Sequence, residues 1–148
     1  MTFKRKNLII LIIIIISILL VLLAPFGYQV DLGPGPNSIP AMLWEYSTYY
    51  SFRYLVPLQY YVPFYVFPIV ILYAIIRFLG EKLSRKWLVI LGIIGELIPL
   101  ILSIPASLIL NSDGENLSPI IISIPILLVF VIVVAFIYPK LKTKLEKS

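Results

Sequence analysis

A lone carboxyl, Glu96, sits in the middle of the apolar run Leu88–Leu110, with Gly92, Gly95, Pro99 and Ser103 around it. An acidic residue at the centre of a hydrocarbon layer costs about 2.5–3.5 kcal/mol on insertion scales, so its presence there demands a role. Desolvation favours the neutral acid, which donates as well as accepts hydrogen bonds. Pro99 frees the carbonyl of Gly95 from its helical partner and so offers Glu96 an acceptor close by. Gly92 and Gly95 let a neighbouring backbone approach closely. At helical spacing Gly92, Glu96, Pro99 and Ser103 share one stripe, which is expected to face other helices. Three readings fit this stripe: hydrogen-bonded packing between helices, a proton or cation site, or a charge-pairing contact with another subunit.

A second concentration of functional groups lies in Ala41–Tyr61, where Trp44, Tyr46, Tyr49, Tyr50, Phe52, Tyr54, Tyr60 and Tyr61 surround Glu45 and Arg53. Rings that are apolar in body and polar at the tip collect at the headgroup level of a bilayer. Two conformations compete here. Trp44, Tyr46, Thr48, Tyr50, Phe52 and Tyr54 alternate with Glu45, Ser47, Ser51 and Arg53, the period of a strand. An isolated strand, however, would leave backbone groups unpaired beside lipid. A helix lying in the interface is therefore the expectation, with Glu45, Tyr49 and Arg53 stepping by four along one face. Together with Trp44 these residues form a candidate outer docking surface.

The remaining chemistry is sparse. The chain holds no Cys and no His, which removes thiolate nucleophiles, the usual zinc sites and imidazole acid–base catalysis at neutral pH. It has no phosphate-cradling glycine loop and no nucleophile elbow. No cofactor, no metal and no enzymatic activity are expected.

The elements that must position Glu96 and the aromatic cluster follow from composition. In 148 residues, 61% are hydrophobic and 13% charged, with a mean hydropathy of +1.05. Soluble domains typically carry about 25% charged residues, so lipid rather than water is the expected solvent. Four apolar runs, Leu8–Ala24, Val62–Leu79, Leu88–Leu110 and Pro119–Tyr138, predict a single all-α membrane domain of four transmembrane helices. The first follows Lys4, Arg5 and Lys6 and resembles an uncleaved signal anchor. Residues 25–61 form the outer segment, beginning with a Gly- and Pro-rich linker expected to lack regular structure. Pro139 is expected to stop the last run.

Charge supports this threading. Eleven of the twelve Lys and Arg residues fall on one side, and only Arg53 on the other; the positive-inside bias then places both termini in the cytoplasm. The isoleucine-rich, cysteine-free composition fits a prokaryotic plasma membrane. Expected partners are the lipid bilayer and other membrane subunits, or further copies of the chain, but not nucleic acid. The expected function is that of a non-catalytic accessory or scaffold subunit. The alternative is an oligomeric channel or transporter component that uses Glu96 as an intramembrane site. A membrane-embedded enzyme is the third class, and no motif names one.

Overall fold

Long stretches of Ile, Leu and Val free of internal proline favour a continuous helix, and α1 runs from Thr2 to Leu23. The computed structural model describes residues 2–25, 27–30, 37–49, 51–54, 58–110 and 120–146. Three more helices follow: α2 (Leu58–Leu79), α3 (Arg85–Leu110) and α4 (Ile126–Glu146). Packing places α2 and α4 each against α1 and α3, with α2 and α4 also touching. Ile71, Ala74, Ile75, Leu79, Leu88, Val131 and Ala135 fill the centre.

Local sequence explains several boundaries. Ser84 starts α3, its hydroxyl accepting from the Trp87 N–H at 3.5 Å, as an N-cap serine does. Pro139 does not stop α4, which continues through it to Glu146. The Thr143 hydroxyl donates to the Pro139 carbonyl at 2.9 Å, the back-bond to the preceding turn that threonine makes within helices.

The expectation of an all-α fold is overturned by a five-stranded antiparallel sheet. Its strands are β1 (Gly27–Val30), β2 (Ser38–Pro40), β3 (Trp44–Ser47), β4 (Ser51–Tyr54) and β5 (Ile120–Ser123), in the order β4-β3-β2-β1-β5. The interfacial helix proposed for Ala41–Tyr61 is therefore replaced over Trp44–Tyr54 by the hairpin β3–β4, with Trp44 opposite Tyr54 and Tyr46 opposite Phe52. The objection to a strand was unpaired backbone; β2, β1 and β5 remove it by extending the ladder. Part of the presumed irregular linker is likewise strand, and the fourth apolar run is divided between β5 and α4.

The count of candidate membrane spans changes as well. Among the described residues, two helices are long and apolar enough to cross a bilayer, Arg5–Leu23 and Ile126–Lys144; Val66–Leu79 is a shorter apolar helix. The four-span reading is corrected accordingly.

At the end of the bundle away from the sheet, the bend after α2 brings three elements together. Glu81 has φ 62°, the left-handed conformation that usually falls to glycine at a helix C-terminus. Its N–H donates to Phe78 and that of Lys82 to Arg77 at 2.8 Å, closing the helix end. The Glu81 carboxylate accepts from Lys142 of α4 at 2.7 Å and from Lys6 of α1 at 3.2 Å. Those two lysines hold its carboxyl below the ordinary value of 4.5, Lys142 most strongly. A carboxylate lowered on folding contributes stability above its unfolded pKa and loses that contribution as pH falls through its folded one. The thermal midpoint of the wild type is thus expected to exceed that of Glu81→Gln at neutral pH, by a small amount because the pair is exposed. The two melting curves should converge as the medium is acidified below the ordinary carboxylate range. A gap that persists in acid would assign the effect to the backbone instead.

Candidate functional site

The described part of α3 sorts its small and polar residues onto two neighbours. A Cβ at Gly92 would lie 3.0 Å from Val131 Cγ1 and 3.3 Å from Leu128 Cδ1, so this glycine lets α4 approach. A Cβ at Gly95 would lie 2.7 Å from Ile71 Cδ1, so this one admits α2. The Val131 side chain is branched at Cβ and fully buried, hence slow to yield. Gly92→Ala is expected to cost about 1–3 kcal/mol by overpacking, measured as a lowered thermal midpoint in mild detergent. A midpoint at or above that of wild type would show that α3 and α4 have slack between them.

Glu96 lies one helical turn beyond Gly92, half-buried, and reaches the junction between β5 and α4. Its Oε2 accepts from the Ser123 hydroxyl, and its Oε1 accepts from the Leu128 N–H at 3.2 Å. The first N–H groups of a helix have no partner within it and are normally met by a Ser, Thr, Asp or Asn just before it. Here Ile124 and Pro125 occupy that place and offer no side-chain acceptor. The Ile126 N–H turns back to the Ile124 carbonyl at 2.7 Å, and the Val129 N–H begins the regular ladder with Pro125 at 3.0 Å. Leu128 lies between them, and Glu96 caps it from another helix. A negative or partly negative oxygen at this end also complements the helix dipole.

The carboxyl is thus an acceptor across elements rather than a donor to the Gly95 carbonyl. Ser123, on a different element, supplies one of its two donors. Gly92 and Glu96 share the side of α3 that faces α4, whereas Gly95 faces α2. The side chains of Pro99 and Ser103 lie outside the described residues.

The same device holds the end of α1. Pro25 follows the helix closely, and its last carbonyls need donors. The Leu43 N–H donates to the Leu22 carbonyl at 3.2 Å, and the Trp44 indole Nε1 donates to that of Leu23 at 2.8 Å. Trp44 therefore ties the sheet to the bundle. At the opposite end of the molecule the buried Tyr138 hydroxyl donates to the Leu79 carbonyl at 3.3 Å and closes α2.

The aromatic docking surface is rearranged by the sheet. Glu45 stands opposite Arg53 in register and is only 3% exposed, which withdraws it from an outer surface; the Arg53 side chain lies outside the described residues. Tyr49 occupies the turn between β3 and β4 and is 68% exposed. Alternation along each strand separates two faces. Ser38, Pro40, Glu45 and Ser47 are buried on one, together with Gly27, which pairs with Ser123. Through Ser123 this face is turned to α3. Tyr28, Tyr46, Phe52 and Ile122 occupy the other and are exposed.

Tyr46 and Phe52, named within the aromatic cluster, were not expected to form its exposed face, and Tyr28 and Ile122 were not singled out. The pairing of Glu96 with Ser123 was missed by reading the chain locally. The alternation from Trp44 to Tyr54 was the signal for Tyr46 and Phe52, and the pairing has none within a single segment. Among the described residues no three His, Cys, Asp or Glu side chains gather as a metal ligand set. Comparison with known proteins gave no matching family model, no matching curated protein and no matching solved structure.

Proposed function

We propose that the chain is a small integral membrane protein serving as a non-catalytic accessory or scaffold subunit for other membrane proteins. The observation that carries this reading is the surface of the bundle. Large apolar side chains are exposed on every helix, among them Leu11 and Ile15 on α1, Ile69 on α2, Leu97 on α3, and Val129 and Phe136 on α4. Water tolerates no contiguous apolar belt of that kind without association, whereas lipid solvates it. α1 and α4 supply the membrane anchors. The end where Lys6, Glu81 and Lys142 meet also carries Arg77, Lys82, Arg85, Lys86, Lys140 and Lys144, and by the positive-inside bias it faces the cytoplasm of a prokaryotic cell.

The scaffold reading is favoured over transport by the use Glu96 is put to. Its Oε1 caps the first turn of α4 and its Oε2 holds Ser123 of β5, a structural task that an ion-carrying carboxylate would have to abandon at each cycle. Two measurements test the proposal. The protein should remain with membranes after alkaline carbonate washing, and release into the wash would remove the membrane assignment. Reconstituted vesicles should show no proton or cation flux that is lost in Glu96→Gln; such a flux would replace the scaffold by a transporter component.

A further inference from the structure

The sheet is inverted relative to one lying on a protein in water. Antiparallel sheets with one solvated face usually turn apolar residues to the core and polar ones outward. Here Ser38, Glu45 and Ser47 are 1–3% exposed on the face turned inward, while Phe52 at 58%, Ile122 at 49%, Tyr46 at 41% and Tyr28 at 38% look outward. The Ser38 hydroxyl is even buried without a hydrogen-bond partner, a cost of about 1–3 kcal/mol accepted in order to keep the polar side in.

The outward residues form one band rather than scattered contacts. Tyr28 pairs with Ile122, and Tyr46 with Phe52, across their strands. Phe52 lies 5.2 Å from Tyr46 and 5.8 Å from Trp44, centroid to centroid, in tilted packing. The band then continues onto the helices. Trp44 is bonded to the Leu23 carbonyl and Leu43 to that of Leu22, and Leu43, Leu23 and Leu19 are exposed in turn. An apolar surface thus runs from the flank of α1 onto the sheet.

We infer that the outward face of the sheet lies against the bilayer at the boundary between headgroups and acyl chains, on the side opposite the basic end. This deepens the membrane reading above and rests on it. The chemistry matches that boundary: tyrosine and tryptophan rings place an apolar body in the acyl region and a polar tip among headgroups. Continuity with the apolar flank of α1 favours lipid over a second protein as the occupant, because one solvent then covers both surfaces.

The absence of cysteine makes the test direct. Single cysteines placed at Tyr46, Phe52, Ile122, Leu11 and Lys144 of the full chain are labelled with an environment-sensitive fluorophore and reconstituted in phosphatidylcholine–phosphatidylglycerol vesicles. Quenching is then compared among aqueous iodide, lipid carrying a nitroxide near the headgroup, and lipid carrying it near the chain end. Labels at 46, 52 and 122 should be quenched severalfold more by the shallow nitroxide than by iodide. The label at 11 should respond most to the deep nitroxide, and that at 144 to iodide. Iodide quenching at 46, 52 and 122 with position 11 still lipid-quenched would overturn this inference alone. Protection of those three from every quencher would also overturn it, in favour of a protein partner or a second copy. Iodide quenching at position 11 as well would remove the membrane reading itself. Labels at both ends of the band guard against distortion by any one of them.

Discussion

Replacing Glu96 by leucine is expected to lower stability in mild detergent by about 3 kcal/mol, because it leaves the Leu128 N–H and the Ser123 hydroxyl without an acceptor in apolar surroundings. Leucine fills a similar volume, so packing loss is minor and the missing hydrogen bonds dominate. Glu96→Gln keeps one carbonyl oxygen in place and is expected to cost about 1 kcal/mol. Ser123→Ala should cost a similar amount while leaving Leu128 capped. The double variant Glu96→Leu with Ser123→Ala should then be less damaging than the sum of its parts, since the two residues share one bond. Thermal midpoints of the four proteins and the resulting coupling energy measure this. Strict additivity would mean that Glu96 acts elsewhere than at the β5–α4 junction.

Trp44→Ala is expected to be the most damaging change in the sheet, on the order of 3 kcal/mol. It removes the indole donor from the Leu23 carbonyl and the ring packed on Phe52 together. Trp44→Phe separates the two losses: the aromatic contact survives and the hydrogen bond is lost, an effect of about 1 kcal/mol. Amide hydrogen exchange provides the residue-level readout. Protection should fall in β3 and β4 for Trp44→Ala, with the centre of the bundle around Ile75 and Val131 unchanged. If protection falls equally throughout, the sheet and the helices unfold as one unit and Trp44 is not a separable tie.

The four helices and the grouping of the cations were legible because both depend on local composition. The runs Val62–Leu79 and Leu88–Leu110 lie within α2 and α3 as observed, and Lys6 and Lys142, which flank the first and fourth apolar runs, do meet at Glu81. What escaped depends on pairing between distant segments. The alternation in Trp44–Tyr54 was visible, yet a strand there looked unaffordable without neighbours. Its neighbours were hidden in two disguises. Gly27–Val30 sits in a glycine- and proline-rich stretch, and Ile120–Ser123 is embedded in an apolar run that reads as helix. Short β-branched runs cannot be told from buried helix by periodicity.

The candidate site shows the same division. That Glu96 needed hydrogen-bonding company followed from its setting, but the identity of that company did not. Ser123 and Leu128 lie on another element, and no spacing within α3 points to them. The Gly92–Glu96 side of the helix was recoverable from a turn of 3.6 residues. Gly95, one position away, faces a different helix, which only packing could disclose. Glu45 was misjudged for a related reason: a helix would have set it beside Tyr49 on an outer surface, whereas strand alternation buries it.

Placing β5 beside β1 has a consequence for how the chain is made. Their partners Gly27 and Ser123 are separated by about two thirds of the polypeptide, and closing so long a loop adds entropy that must be recovered by later contacts. During synthesis the meander β1–β4 emerges first, with the hydrogen-bonding edge of β1 bare and able to recruit a strand from a neighbouring nascent chain. Arrival of Ile120–Ser123 shuts that edge, so truncation before this strand should yield cross-paired aggregates rather than a smaller soluble or inserted product.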